Sequence, residues 1–169
     1  MIDLFNNFMK SILFISGNEI SDYHEIIPNL YVGNSIAAKD YCKNFDIIIN
    51  ATPSVPFYSK ISKNIRISVK DDRTQHSNLK LAIETEKLLP YLHTYLKHNK
   101  KVLVHCRAGM QRSASIVAAY LIRYKKHSIE SAIKTIKSKR NIAFMPLINF
   151  PITLQIIHHN THNKNKKFI

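Results

Sequence analysis

One short segment constrains the fold of this chain more than any other. It runs from His105 to Ser113 and reads HCRAGMQRS, between a β-favouring run at 101–104 and an apolar, helix-favouring stretch at 114–124. This order predicts a buried β-strand, a tight loop and a buried α-helix. A loop that opens a helix gathers backbone N–H groups at the positive end of the helix dipole, where proteins bind phosphate.

The residue types in this loop indicate thiol chemistry. Cys106 would lie where the helix end and the loop amides favour a thiolate. Arg112, six residues on, carries a planar fork that suits two phosphate oxygens. Gly109 is one of only three glycines in the chain and permits a close backbone approach. Each residue alone is most often structural, but the combined pattern predicts a sulfur that attacks phosphorus.

The complete loop resembles the signature loop of cysteine-dependent protein phosphatases, in the dual-specificity branch. Three upstream segments are similar to strands of that family: 26–34 to its opening strand pair, 45–52 to its next core strand, and 65–72 to the strand before its general-acid loop. The resemblance covers residues 26 to 150. It implies a protein phosphatase that hydrolyses phosphotyrosine, phosphoserine and phosphothreonine through a phosphocysteine intermediate.

The resemblance also implies a role for each residue of the loop. Cys106 is expected to be the nucleophile, and Ser113 the hydroxyl that helps its sulfur to leave in the second step. His105 resembles the residue whose hydrogen bonds keep the loop and the thiolate in place. The expected phosphate-binding loop consists of Arg107, Ala108, Gly109, Met110, Gln111 and Arg112.

The general acid of the family is an aspartate on a loop about thirty residues before the cysteine. Asp71 and Asp72 both fit, and Asp71 is preferred because the family acid lies two residues after the last apolar residue of the strand. Family members often have Pro-Asn before the last helix. Here the segment 145–149 reads MPLIN, so that the asparagine is absent or displaced to Asn149. Arg140 either helps to hold the substrate or is solvated within a basic run.

Alternating strands and helices predict the fold class: a single-domain α/β sandwich whose central, mostly parallel sheet is flanked by helices, with the site at the carboxyl edge of the strands. Helices are expected at 78–98, at 112–125, at 129–139 with Ser128 as N-cap, and after Pro146 to about 158. The expected organisation is an N-terminal amphipathic helix at 1–18, a catalytic domain at 26–158 and a basic C-terminal tail at 159–169.

The first sixteen residues carry apolar side chains at helical spacing with few charges. Asp3 and the polar residues that interrupt the apolar run argue against a signal peptide. A catalytic domain of this type does not need such a helix, and an exposed apolar stripe is a liability unless it is covered. We therefore predict that residues 1–16 contact a second copy in a homodimer or another partner; the alternative is that they fold back on their own domain.

Two cysteines provide no disulfide framework, which indicates a reducing, cytoplasmic location. Cys42 is expected to be a packed bystander, with a regulatory disulfide to Cys106 as the alternative. No cofactor and no metal are expected, because the C-terminal His158, His159 and His162 have no cysteine or carboxylate beside them. No stretch has the length of a transmembrane helix.

The net charge of +14 indicates either a solvated surface that keeps the protein soluble or an attraction for phosphorylated, acidic partners. Nucleic acid is not favoured, because aromatic residues are not interleaved with the basic ones. An RNA 5′-phosphatase would suit the charge, but the loop sequence is closer to that of protein phosphatases. Phosphoinositide phosphatases usually carry lysine within the loop, where this chain has Met110. A non-catalytic phospho-binding module would not require Cys106, Arg112 and a nearby aspartate together.

Overall fold

The computed structural model describes residues 21–60 and 62–164, which form a five-stranded sheet between helices. The strands are β1 (Tyr23–Ile27), β2 (Leu30–Gly33), β3 (Ile47–Asn50), β4 (Lys63–Arg66) and β5 (Val102–His105). They lie in the order β1-β2-β5-β3-β4, with β1 antiparallel to β2 and all other pairs parallel. The predicted α/β class with a mostly parallel sheet is confirmed.

The two central strands are buried along their whole length. Every residue of β3 and β5 is buried, as predicted for two apolar runs covered on both faces. The edge strand β4 differs from the expected strand at 65–72, because it begins earlier and ends at Arg66. Ile67 still donates to the carbonyl of Asn50, where β3 ends, so the chain beyond it has no neighbour left to pair with.

Helices cover the two faces unequally. The short α1 (Ser35–Asp40) and the 3-10 turn Cys42–Asn44 are associated with one face, where Ile48 and Leu103 point. Four longer helices cover the other face: α2 (Gln75–Lys97), α3 (Arg112–Lys125), α4 (Ile129–Lys139) and α5 (Pro151–Lys164). Within the described residues, no helix combines the length and the apolar character needed to cross a bilayer.

The helix predictions hold best where the sequence carries a cap. Ser128 accepts a hydrogen bond from the Ser131 N–H at 3.1 Å and starts α4, as predicted. Helix α2 begins three residues earlier than expected, because the Thr74 hydroxyl caps the Ser77 N–H. The central α3 has the predicted bounds, and its first eleven residues are all buried.

The last helix lies further along the chain than expected. Helix α5 begins at Pro151, where proline suits a first helical turn, and continues to Lys164. The predicted domain boundary at 158 therefore falls inside it. Thr161 is buried and accepts a hydrogen bond from Arg123 Nε at 2.8 Å, so this part of the expected tail is packed against α3. The predicted helix at 1–18 and the end of the tail at 165–169 lie outside the described residues.

The sheet separates the two cysteines. Cys42 lies before β3, at the amino end of the parallel strands, whereas Cys106 follows β5 at their carboxyl end. Four residues of strand lie between the two ends, about 13 Å at about 3.3 Å per residue. A disulfide needs Cβ atoms about 4 Å apart, so the alternative of a Cys42–Cys106 disulfide is wrong, and Cys42 remains a half-buried free thiol.

Candidate active site

The signature loop leaves the sheet at its carboxyl edge. Gly33 and Asn50 lie in register with His105, the last residue of β5, and α3 begins at Arg112. A cavity of about 760 Å³ opens beside the loop. It is lined by Thr52, Pro53, Ser54, Lys70, Asp71, Arg107, Ala108, Met110, Gln111, Arg112, Met145, Pro146 and Asn149.

The backbone of the loop is held from behind through its carbonyl groups. Each of four carbonyls has a donor: Arg107 accepts from the Ser35 N–H at 3.0 Å, Ala108 and Gly109 from the Arg140 guanidinium at 3.2 and 2.7 Å, and Met110 from the Phe144 N–H at 2.9 Å. In a planar trans peptide the next N–H points the opposite way. The amides of residues 108–111 therefore face away from these donors and form a cradle for an anion.

Gly109 is required by this arrangement. Its φ is +67°, and a Cβ atom would lie 2.6 Å from the Gly33 carbonyl oxygen and 2.7 Å from Arg140 Nη2. Both contacts are shorter than a carbon atom tolerates, so a side chain would push the loop off its support.

Arg140 lies behind the loop, which corrects both expectations for it. Its side chain is fully buried, and besides the loop carbonyls it donates to the Ser21 carbonyl and to His24 Nδ1. It neither lines the cavity nor is solvated. Burial lowers the pKa of Arg140 to about 10, against the opposing attraction of Cys106 and Asp22. A long-range contact of this kind has no signature in a basic stretch of sequence.

Cys106 is buried, and its Sγ lies 3.3 Å from the Ser113 hydroxyl oxygen. Burial has the largest single effect on its pKa and raises it. The Arg112 cation and the hydroxyl and N–H of Ser113 together outweigh burial and the repulsion from Asp71, so that the pKa of Cys106 is lowered overall. The geometry thus favours a thiolate at the base of the cradle.

His105 is fully buried beneath the loop, with Nδ1 3.4 Å from the Cys106 carbonyl oxygen. Burial lowers the pKa of His105 to about 4, helped by Arg66 and Arg112 and opposed by the Cys106 carbonyl. The ring is therefore neutral at pH 7. Among the described residues, its Nε2 has no hydrogen-bond partner.

Arg112 spans the cavity floor between the loop and the segment 69–71. Its Nη1 donates to the Val69 carbonyl at 3.1 Å, and its Nη2 forms an ion pair with Asp71 Oδ2 at 3.1 Å. Nε is buried and has no partner within the part of the chain that the structure describes. The guanidinium thus keeps a donor available at the cradle.

The structure brings Asp71 to the cavity and leaves Asp72 outside it. Asp71 Oδ1 accepts from Asn149 Nδ2 at 2.9 Å, so the displaced asparagine contacts the predicted acid. Asp72 accepts from the N–H and the hydroxyl of Thr74, and these bonds lower the pKa of its exposed carboxyl. Asp72 is the turn acid that precedes α2.

Two residues that the sequence reasoning missed hold the opposite wall. Asn50 donates to the Val55 carbonyl at 2.8 Å and accepts from the Thr52 N–H and hydroxyl. Arg66 donates to the Thr52 and Val55 carbonyls at 2.6 and 2.8 Å. A signal was available for Asn50, since a polar residue at the end of a buried isoleucine run needs internal partners.

Among the described residues, no group of three histidine, cysteine or acidic side chains could hold a metal ion.

Comparisons with known proteins agree with this geometry. The family model described as the dual specificity phosphatase catalytic domain matches residues 30–161. Protein 123R of Invertebrate iridescent virus 6, a tyrosine phosphatase by name, is 36% identical over 123 residues, which are 71% of this chain and 81% of that protein. Tyrosine-protein phosphatase MSG5 of Saccharomyces cerevisiae is 31% identical over 65% of this chain, but the match covers only 23% of MSG5.

Solved structures have the same fold. A mouse protein, described as a dual specificity phosphatase and crystallised with zinc tungstate, superposes with a TM-score of 0.75 at 25% identity, covering 85% of this chain and 91% of the mouse one. The loop geometry, the extent of the family match and the viral relative lead to one conclusion: the chain belongs to the dual-specificity phosphatase family.

Proposed function

We propose that this protein phosphatase hydrolyses phosphotyrosine, phosphoserine and phosphothreonine in protein substrates through a phosphocysteine intermediate. One observation carries the proposal: a buried Cys106 with a lowered pKa lies at the base of an amide cradle beside Arg112. The mouse relative was crystallised with tungstate, an oxyanion with the geometry of phosphate, which supports oxyanion binding in this family.

In the first step the Cys106 thiolate attacks phosphorus, and the bond between phosphorus and the ester oxygen breaks. The loop amides and Arg112 bind the equatorial oxygens, where the transition-state charge is spread. The phosphate takes a place at Arg112 that the Asp71 carboxylate now shares at 3.1 Å. With phosphate at Arg112, Asp71 leaves this ion pair and takes up one proton from solvent, and the carboxyl then donates that proton to the leaving oxygen.

In the second step a water molecule attacks the phosphocysteine. Asp71, now a carboxylate, accepts the proton of this water, and the sulfur–phosphorus bond breaks with its electron pair returning to Cys106. The Ser113 hydroxyl, 3.3 Å from Sγ, donates to the departing sulfur and stabilises the thiolate. Inorganic phosphate is released, and the enzyme returns to its starting state.

The proposal also includes the oligomeric state, the cellular compartment and the kind of substrate. The apolar stripe of residues 1–16 would contact a second copy, so that the working enzyme is a homodimer. A thiolate nucleophile at Cys106 is easily oxidised, which favours the cytoplasm as the site of action. The high positive charge would attract phosphorylated segments rich in acidic residues.

The test is a substrate panel with the purified 169-residue chain. Phosphotyrosine, phosphoserine and phosphothreonine peptides are compared with triphosphorylated RNA and phosphoinositides, and we expect turnover of the peptides to dominate. Preferential turnover of RNA or phosphoinositide would replace the proposed substrate class.

Variants test the nucleophile in the same assay. Cys106→Ser should leave less than about 1% of the wild-type activity while keeping the fold, because a hydroxyl is a far weaker nucleophile than a thiolate. Cys42→Ser is the matched control, since this second thiol is at the other end of the sheet, and it should stay fully active. A Cys106→Ser enzyme that retains substantial turnover would exclude the phosphocysteine mechanism.

A further inference from the structure

We propose that Gln111 is a positioning residue that couples the phosphate-binding loop to the general acid. The inference rests on the proposed function, because it concerns the proton donor of that reaction. Gln111 directly precedes Arg112 and is 5% exposed. Its side chain does not cap α3, the helix that starts beside it.

The amide of Gln111 is fully engaged by one short segment. Its Nε2 donates to the Met145 and Leu147 carbonyls, both at 2.8 Å. Its Oε1 accepts from the Asn149 N–H at 3.0 Å. Both N–H donors and the carbonyl oxygen of this carboxamide thus bind residues 145–149.

The segment reaches the acid through a side chain. Asn149 Nδ2 donates to Asp71 Oδ1 at 2.9 Å, while Asp71 Oδ2 pairs with Arg112 Nη2 at 3.1 Å. Hydrogen bonds and an ion pair therefore connect Gln111 through Asn149 and Asp71 to Arg112. The peptide bond between Gln111 and Arg112 closes this ring of contacts. The position of the acid is fixed relative to the loop that holds phosphate.

Both packing and polar contacts position this segment. Ile148 packs against the core, whereas Met145 is 40% exposed and Leu147 is 60% exposed, so the backbone around these two residues depends more on its polar contacts. Two other donors reach the segment: Arg73 binds the Ile148 carbonyl at 3.3 Å, and Asn78 Nδ2 binds the Asn149 carbonyl at 3.1 Å. The three partly buried Gln111 bonds are shorter than either.

Only an amide of this length fits the position. The segment presents two carbonyls and one N–H to residue 111, and a glutamine matches them with one planar group. A glutamate keeps the acceptor but loses both donors, and it places an oxygen against the two carbonyls. An alanine removes all three bonds and leaves the Met145 and Leu147 carbonyls without this donor.

The experiment compares aryl phosphates whose leaving phenols differ in acidity. Gln111→Glu and Gln111→Ala should lower kcat/KM about tenfold or more for phenyl phosphate, whose leaving oxygen needs a proton. For an ester of a strongly acidic phenol the loss should stay within about threefold, because that leaving group departs unprotonated. Gln155→Ala, which alters an exposed glutamine on α5, is the matched control and should change neither rate.

The ratio of the two rates is the decisive readout, because it does not depend on the fraction of folded enzyme in a preparation. Equal losses on both esters would overturn the inference, since they would show that Gln111 acts only on the stability of the loop. In an Asp71→Asn background, Gln111→Ala should have less than about twofold further effect on phenyl phosphate. A full additional loss there would also overturn it. A wild-type enzyme that hydrolyses neither ester would instead overturn the proposed function itself.

Discussion

The pKa of the buried Cys106 thiol depends on opposing effects of burial and of neighbouring residues. Burial raises the pKa of Cys106, and only the nearby Arg112 and Ser113 reverse that effect. The grouping of Cys106, Arg112 and Ser113 in one loop was predictable from the sequence, because their spacing in HCRAGMQRS specifies a loop at a helix start. The net shift of the Cys106 pKa was not predictable, because Asp71 raises this pKa and its position depends on a contact with Arg112 across 41 residues of chain.

The two adjacent aspartates provide the first residue-scale prediction. Asp71→Asn should lose activity towards phosphopeptides about 100-fold, but far less towards esters with acidic leaving groups. Asp72→Asn should show no such dependence on the leaving group, because Asp72 binds Thr74 at the start of α2. Rates on both kinds of substrate, measured for both variants, check the assignment. If only Asp72→Asn shows the dependence, the acid is Asp72.

His105 provides a prediction about pH and stability. Its pKa is lowered by burial from 6.5 to about 4 in the folded protein, so that between these pH values the unfolded chain binds a proton that the folded protein does not. The stabilisation by the neutral ring is complete above pH 6.5 and is lost as the pH falls towards 4. A shift of this size corresponds to about 3 kcal/mol.

The measurement is urea unfolding of the wild type and of His105→Asn at several pH values between 7 and 4. The free energy of unfolding of the wild type should fall by about 3 kcal/mol more than that of the variant over this range. The comparison with the variant removes the contribution of the other titrating groups. Parallel pH profiles for the two proteins would show that folding does not lower the pKa of His105.

At the scale of elements, the sequence predicted the limits that depend on local patterns better than the limits that depend on tertiary contacts. The bounds of α3 and the start of α4 follow from an apolar run and a serine cap, which are local signals. The length of α5 depends on Thr161 packing against Arg123, and the end of β4 depends on where β3 stops. Neither partner is near in sequence, so neither limit leaves a periodic pattern.

Arg140 shows how an element supports the loop. It lies at the C-terminal end of α4 and binds the Ala108 and Gly109 carbonyls. Arg140→Met should lower the free energy of unfolding by about 3 kcal/mol or more, because both carbonyls lose a charged donor. For a domain of this size that corresponds to a fall in Tm of about 6–12 °C.

The controls separate charge from geometry. Lys139→Met removes a neighbouring exposed charge and should leave the Tm nearly unchanged. Arg140→Lys should recover only part of the loss, since one ammonium cannot replace a fork that binds two carbonyls. Thermal unfolding that is the same for Arg140→Met and Lys139→Met would mean that the loop does not depend on this support.

At the scale of the whole molecule, the described residues already bury a continuous core. It extends from Ile26 in β1 to Ile157 in α5 and includes both central strands and the central helix. The family match, residues 30–161, covers nearly the same range. We propose that a second copy of the chain, rather than this core, covers the apolar stripe of residues 1–16.

Deleting the N-terminal segment tests whether a second copy covers this stripe. The full chain should have a solution mass twice the 19.6 kDa of one chain, and a chain that starts at Glu19 should be a monomer with unchanged activity on a small aryl phosphate. Phe5→Ser with Ile12→Ser should also give monomers, because it interrupts the apolar stripe. Asn6→Ser with Asn7→Ser is the matched control and should remain dimeric. A monomeric full chain that is more stable than the shortened one would show that the segment folds back on its own domain, and two equally stable monomers would exclude both roles.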